Sequence, residues 1–166
     1  MKKRGFTLVE IMIVVAIVGM LAAMGVLAIS KGVNNSKTRQ AEGELEMLSA
    51  AVLQLAWDTG RWPNGEPRND GGSAEVWDLS GDSSGLLGND GTYNNWQGPY
   101  CDADALKDPW YKDTADGRHR LYFFDPDYNH QLEGVIVTVG SFGPNGKGPN
   151  LYDSDDVLPE VPDLGN

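Results

Sequence analysis

Four groups of residues in this sequence could do chemistry, and each needs a different partner. Glu10 is a lone carboxylate at the head of an apolar run. A charge inside a membrane costs about 2.5 to 3.5 kcal/mol on insertion scales, so it calls for an opposite charge to pair with. Asp125, Asp127 and Asn129 occupy the first, third and fifth positions of an EF-hand-like loop. Its sixth position is His130 rather than Gly, and its twelfth is Ile136 rather than Glu. Without the bidentate ligand, an acidic hairpin loop is the better reading. Further on, Ser141-Phe142-Gly143-Pro144-Asn145-Gly146 forms a Gly-rich turn, and Asp153, Asp155 and Asp156 return about ten residues later. Oxygen donors from two segments, one of them supplying backbone carbonyls, suit a Ca²⁺ site of six to eight ligands. A solvated acidic turn before a Pro-rich tail (Pro159, Pro162) explains the same spacing equally well. Finally, His119 and His130 are the only histidines, and the sequence places no hydroxyl or thiol nucleophile beside either. The Gly-rich stretches lack the Gly-Lys-Ser/Thr element of a phosphate-binding loop, so an enzyme finds little support.

The elements that must carry these residues follow from hydropathy and spacing. From Ile11 to Ile29, nineteen consecutive residues carry no charge, enough to cross a hydrocarbon core of about 30 Å at about 1.5 Å per helical residue. Lys2, Lys3 and Arg4 precede the run, which predicts a cytoplasmic N-terminus and an exported remainder. A secretory signal peptide cut near Leu21, Ala22 and Ala23 is the plainer alternative. Its usual core is shorter, and a disposable signal has no reason to keep Glu10. A membrane-spanning helix is thus expected over residues 6–30. Its amphipathic continuation spans 31–59, where Ala41, Leu45, Leu48, Val52 and Leu55 recur at spacings of three and four. Gly60 and Pro63 stop it, giving a helix of about fifty residues and ~80 Å if unbroken.

Residues 60–110 read as a loop-rich connection, with turn signals at Asn64-Gly65, Asp70-Gly71-Gly72, Ser80-Gly81 and Asn89-Asp90-Gly91. Trp77, Leu79, Leu86, Leu87 and Trp96 are expected to pin it to the body. An exposed, carbohydrate-binding tryptophan is the sharper and rarer reading. Residues 111–166 are expected to form an antiparallel sheet with an acidic C-terminal loop. Its strands should cover Arg118–Phe124 and Glu133–Val139, joined by Asp125–His130.

Charge and cysteine usage narrow the class. Residues 59–166 carry seven Lys or Arg against nineteen Asp or Glu, so the expected outward part is acidic. That excludes nucleic acid as a partner and favours calcium, cationic partners or simple solubility. Cys101 is the only cysteine, so no intramolecular disulfide can order the tail. A small, buried, apolar role suits it best.

Gly5-Phe6-Thr7-Leu8-Val9-Glu10, followed by such a run, resembles the processing motif of the type IV pilin superfamily. Later pieces narrow the likeness. Asp58-Thr59-Gly60-Arg61-Trp62-Pro63, Gly98-Pro99-Tyr100, Leu106-Lys107-Asp108-Pro109-Trp110, Ser141 to Gly146 and Asp155-Asp156-Val157 are similar, in that order, to elements of the major pseudopilin of type II secretion. The resemblance implies an α+β, pilin-like fold, with a long N-terminal helix packed on a small antiparallel sheet. Residues 1–5 would be a leader removed by a prepilin peptidase after Gly5, and Phe6 would be methylated. Glu10 would neutralise the N-terminal amine of a neighbouring subunit during assembly, with residues 6–30 passing from membrane lipid into a filament core.

The implied product is a structural subunit of a periplasmic homopolymer. It would work with other pseudopilins and an inner-membrane assembly platform, as a single-pass inner-membrane protein until assembly. The likeness also implies a structural Ca²⁺ held by the Phe142 carbonyl, the Asn145 side chain and carboxylates among Asp153, Asp155 and Asp156. The chain departs from the family in several places. Asn145 stands where Asp is usual, and Tyr111-Lys112-Asp113-Thr114 replaces a Gly-Asn-Pro-Tyr element. No proline precedes Pro63, and the middle loop is long. A surface type IV pilin is the nearest alternative, opposed by the missing disulfide and the calcium-like loop. A membrane-anchored binding module is the other.

Overall fold

Local sequence signals place both ends of the first helix. The structure, a computed structural model, describes residues 5, 7–70, 72–110, 122–130, 134–146, 154–159 and 164. The basic tip, Phe6, His119, Asp153, Pro162 and residues 111–121 lie outside these, as do the side chains of residues 24–28 and of His130. Helix α1 covers Leu8–Thr59. Thr7 caps it: its Oγ1 accepts the Glu10 N–H at 3.3 Å, and Glu10 Oε2 accepts the Thr7 N–H at 2.8 Å. This reciprocal pair, three residues apart, satisfies two N–H groups that would otherwise lack helical partners. At the far end Gly60 takes φ of +73°, a left-handed conformation that costs glycine little, and the helix stops there.

The chain divides into two compact units, residues 1–36 and 37–166. In the first, the described residues from Leu8 form helix alone, and the large apolar side chains from Leu8 to Met20 are each more than half exposed. Among the described residues no helix is long and apolar enough to cross a membrane, and the side chains of residues 24–28, inside the apolar run, are not among them.

In the second unit the expected stripe is the core face. Ala41, Leu45, Leu48, Val52 and Leu55 are all buried, in one cluster with Trp62, Tyr122, Phe124 and Val139. Burying each large aliphatic side chain contributes about 1.5 to 3 kcal/mol. Strands β1 (Phe123–His130) and β2 (Gly134–Gly140) pair antiparallel as a two-stranded sheet. Because side chains alternate along a strand, Phe124 joins the helix core, whereas Phe123 stacks with Tyr128 and Phe142 in a second cluster. Gly140, opposite Phe123, makes room for that ring: a Cβ there would lie 2.5 Å from it.

The strand boundaries correct one expectation. Asp125–His130, expected as the hairpin connection, belongs to β1, and residues 131–133 lie outside the described residues. The register slips between Asp125 and Tyr128, so a β-bulge takes up Pro126, which has no N–H to give a ladder, and Asp127, whose N–H bonds Asp125 Oδ1 at 2.9 Å. Residues 118–121 of the expected first strand lie outside the described residues. The expected second strand agrees with β2 to within one residue.

The 60–110 segment is held by single turns and backbone pairs. Val76 exchanges hydrogen bonds with Phe124 at 2.8 and 2.9 Å. Leu79 and Leu86 are fully buried, Leu87 and Trp96 pack partly against the same core, and Trp77 joins the second cluster. Tyr93 reaches the Pro63 and Ser83 carbonyls, each at 2.8 Å. Burial, and then the charge of Asp90, push its phenol well above the usual tyrosine range.

Candidate functional site

At the N-terminus, the backbone around Gly5 is open: a Cβ there would meet nothing within 4 Å. Glu10 is exposed, and its Oε2 accepts both the Thr7 N–H and the Thr7 hydroxyl at 2.8 Å. Its carboxylate is thus engaged within its own chain, on a part of the helix surrounded by exposed apolar side chains. Phe6 lies outside the described residues.

The C-terminal loop is built from three distant segments. Ser141 and Val157 exchange backbone hydrogen bonds, both at 2.9 Å, and so close the turn between them. Fully buried Ser141 donates its hydroxyl to Asp108 Oδ2 at 2.9 Å and accepts the Gly143 N–H at 3.1 Å. Asp108 is itself 3 % exposed, so the Lys-Asp-Pro-Trp element braces this loop. That role was not legible in the sequence, where a lone Asp ahead of Pro-Trp was the only signal. Inside the loop, the Phe142 carbonyl accepts the Gly146 N–H at 3.1 Å. Gly143 takes φ of +57°, and a Cβ on it would lie 1.9 Å from the Asp155 carbonyl oxygen.

Of the expected metal-binding residues, Asn145 and Asp155 meet. Asp155 Oδ2 accepts the Asn145 N–H at 3.0 Å, and Asp155 Oδ1 accepts the Asn145 side-chain amide. Asp156 Oδ2 accepts the Tyr128 hydroxyl at 2.8 Å, which ties the loop to β1. Asp153 lies outside the described residues.

A second acidic meeting point was not legible. The backbone pairing of Val76 with Phe124 sets Glu75 beside the strand, and carboxylate oxygens of Glu75, Asp125 and Asp127 lie within 4.8 Å of one another. The sequence showed the two aspartates, but Glu75 is fifty residues upstream in a segment with no strand pattern. Cys101 is half-buried against the core, and burial followed by the charge of Asp102 pushes its thiol up, away from nucleophilic use.

Comparison with known proteins finds matches that include the N-terminal residues. Residues 1–26 match the family model of the prokaryotic N-terminal methylation motif. The chain is similar to type II secretion system core protein G of Xanthomonas campestris, 25% identical over 152 residues, which is 91% of this chain and 86% of that one. It is 35% identical to the core protein G of Pseudomonas aeruginosa over 63 residues, 38% of this chain and 44% of that one. The type IV major alpha-pilin of Moraxella bovis is 44% identical over 50 residues, 30% of this chain and 31% of the pilin. No solved structure matches.

Proposed function

We propose that this chain, a pseudopilin-like member of the type IV pilin superfamily, is a structural, non-catalytic subunit of a type II secretion pseudopilus, polymerising into a periplasmic filament that helps drive protein export. The carrying observation is one chain that joins the methylation motif at residues 1–26 to similarity with a core protein G along 91% of its length. Likeness to the pilin covers 30% of the chain, which leaves the surface-pilus reading second.

In this reading, prepilin peptidase cuts between Gly5 and Phe6 and frees the Phe6 amine, which is then methylated. Residues 11–29, without a charge, hold the subunit in the inner membrane with the second unit in the periplasm. A carboxylate in an apolar setting is tolerable only when paired, and the terminal ammonium of a neighbouring copy would pair with Glu10 in the filament core. In the single chain, the Thr7 N–H and hydroxyl bond one Glu10 carboxylate oxygen without neutralising its charge, which leaves the counter-charge to the neighbour's ammonium. The assembly platform and the other pseudopilins would act on the subunit at the membrane.

The C-terminal loop fits a Ca²⁺ in kind. The Phe142 carbonyl, the Asn145 side chain and carboxylates among Asp153, Asp155 and Asp156 are all hard oxygen donors, and Asn145 and Asp155 stand face to face. A bound ion would supply positive charge to the acidic turn and cross-link it to the Gly-rich turn.

Two measurements test the central reading. The mature chain should begin with methylated Phe6 by mass spectrometry, and Glu10→Ala should abolish filaments while leaving the subunit folded. Cleavage near Ala23, or wild-type filament yield from Glu10→Ala, would sink it. Calcium binding should raise the melting temperature relative to chelator, and superimposable curves would remove the ion from the account.

A further inference from the structure

Both carboxylate oxygens of Asp155 receive donors from a single residue, Asn145: the backbone N–H at 3.0 Å on Oδ2 and the side-chain amide on Oδ1. The second bond depends on residue type. An amide offers N–H donors and a carboxylate offers none. An Asp at position 145 would set a second carboxylate against that of Asp155 and leave an outside cation as the way to hold them together. Around this contact the loop is already fastened. Ser141 and Val157 pair at its neck, Asp156 accepts the Tyr128 hydroxyl at 2.8 Å, and Gly143 lets the Asp155 carbonyl approach too closely for any side chain at 143.

We propose that Asn145 and Asp155 form an amide–carboxylate clamp that orders the C-terminal loop with or without a cation, and that the identity of residue 145 sets whether the loop depends on one. The Asn145 amide does the bridging that a metal ion would do between two carboxylates. A loop clamped in this way is ordered on either side of a membrane, whatever the calcium concentration there.

The experiment is amide hydrogen exchange of the full chain in detergent, followed at Val157 and Gly146, whose N–H groups bond Ser141 and Phe142 at 2.9 and 3.1 Å. It is run in calcium and in excess chelator, for wild type and Asn145→Asp. The exchange of Leu48 and Val52, in the helix core, reports that each variant is folded. In chelator, wild type should keep loop protection at least about tenfold above that of Asn145→Asp, whatever calcium adds to wild type by binding. A difference of that size is expected when a charge-assisted hydrogen bond gives way to repulsion. Equal protection of the two proteins in chelator overturns the clamp. Only the rescue of Asn145→Asp by calcium rests on the calcium reading above. Loss that calcium does not restore upholds the clamp and overturns that reading instead.

Discussion

Tyr122→Phe tests how the helix is tied to the second half of the chain. Tyr122 is fully buried, and its hydroxyl donates to Glu44 Oε2 at 2.6 Å across a sequence separation of 78 residues. Glu44 Oε1 also accepts the Gln40 side-chain amide at 2.8 Å. A hydroxyl donating to a carboxylate contributes about 1.5 to 3 kcal/mol. Phenylalanine keeps the ring, so no cavity of consequence is added. Half-buried Glu44 recovers part of its solvation from water, which favours the lower end, about 1.5 to 2 kcal/mol. In a unit of this size that lowers the melting temperature by about 5 to 7 °C. All five tryptophans lie at or beyond Trp57, so their fluorescence follows unfolding of the second unit alone. A double-mutant cycle with Glu44→Ala isolates the pair and should return a coupling of at least about 1 kcal/mol. A loss below about 0.5 kcal/mol for Tyr122→Phe, or additive single mutants, would refute the assignment.

Three further outcomes follow from the same geometry. Leu45→Ala, at a position with no exposure, should cost about 2 to 5 kcal/mol in urea denaturation. Gly143→Ala must push the Asp155 carbonyl away from a Cβ placed 1.9 Å from it, at φ of +57°. Its loop should therefore be cut faster by added protease while the tryptophan-monitored core melts nearly as before. Alkaline pH should unfold the second unit. Burial, followed by Asp90 for Tyr93 and by Glu44 for Tyr122, raises both phenols above their ordinary value. The folded state then keeps protons that unfolded tyrosine loses above about pH 10, so stability falls as pH rises beyond that point, by up to about 1.4 kcal/mol per pH unit for each group. Melting temperatures that stay level from pH 9 to 11.5 would contradict this.

Much of this architecture was legible because local signals and tertiary demands coincide. The Leu45, Leu48, Val52 and Leu55 stripe was both the strongest periodicity and the core face, and Gly60 stops the helix by the conformation its lack of a Cβ allows. Where the two diverge, composition misled. Asp125-Pro126-Asp127-Tyr128-Asn129 reads as a turn, yet burial of Asp125 and Tyr128 and a single bulge hold it in β1. Contacts between distant segments left little trace in one sequence. Asp108 under Ser141 and Glu75 beside Asp125 join partners 33 and fifty residues apart, and neither pairing has a periodicity to reveal it. At the candidate sites the sequence offered residue types, but it could not show that Asn145 donates to Asp155 or that Thr7 occupies Glu10.

The backbone pair between Ser141 and Val157, with the Leu164 N–H on the Val137 carbonyl at 2.7 Å, has a consequence for redox chemistry. With Cys101 as the only thiol, the tail is fastened by amide hydrogen bonds that no reductant can break and no oxidase need form. Loop closure is therefore independent of thiol–disulfide poise. Dithiothreitol should leave the melting curve of the second unit where it was, and the loop can close equally well in a reducing or an oxidising compartment.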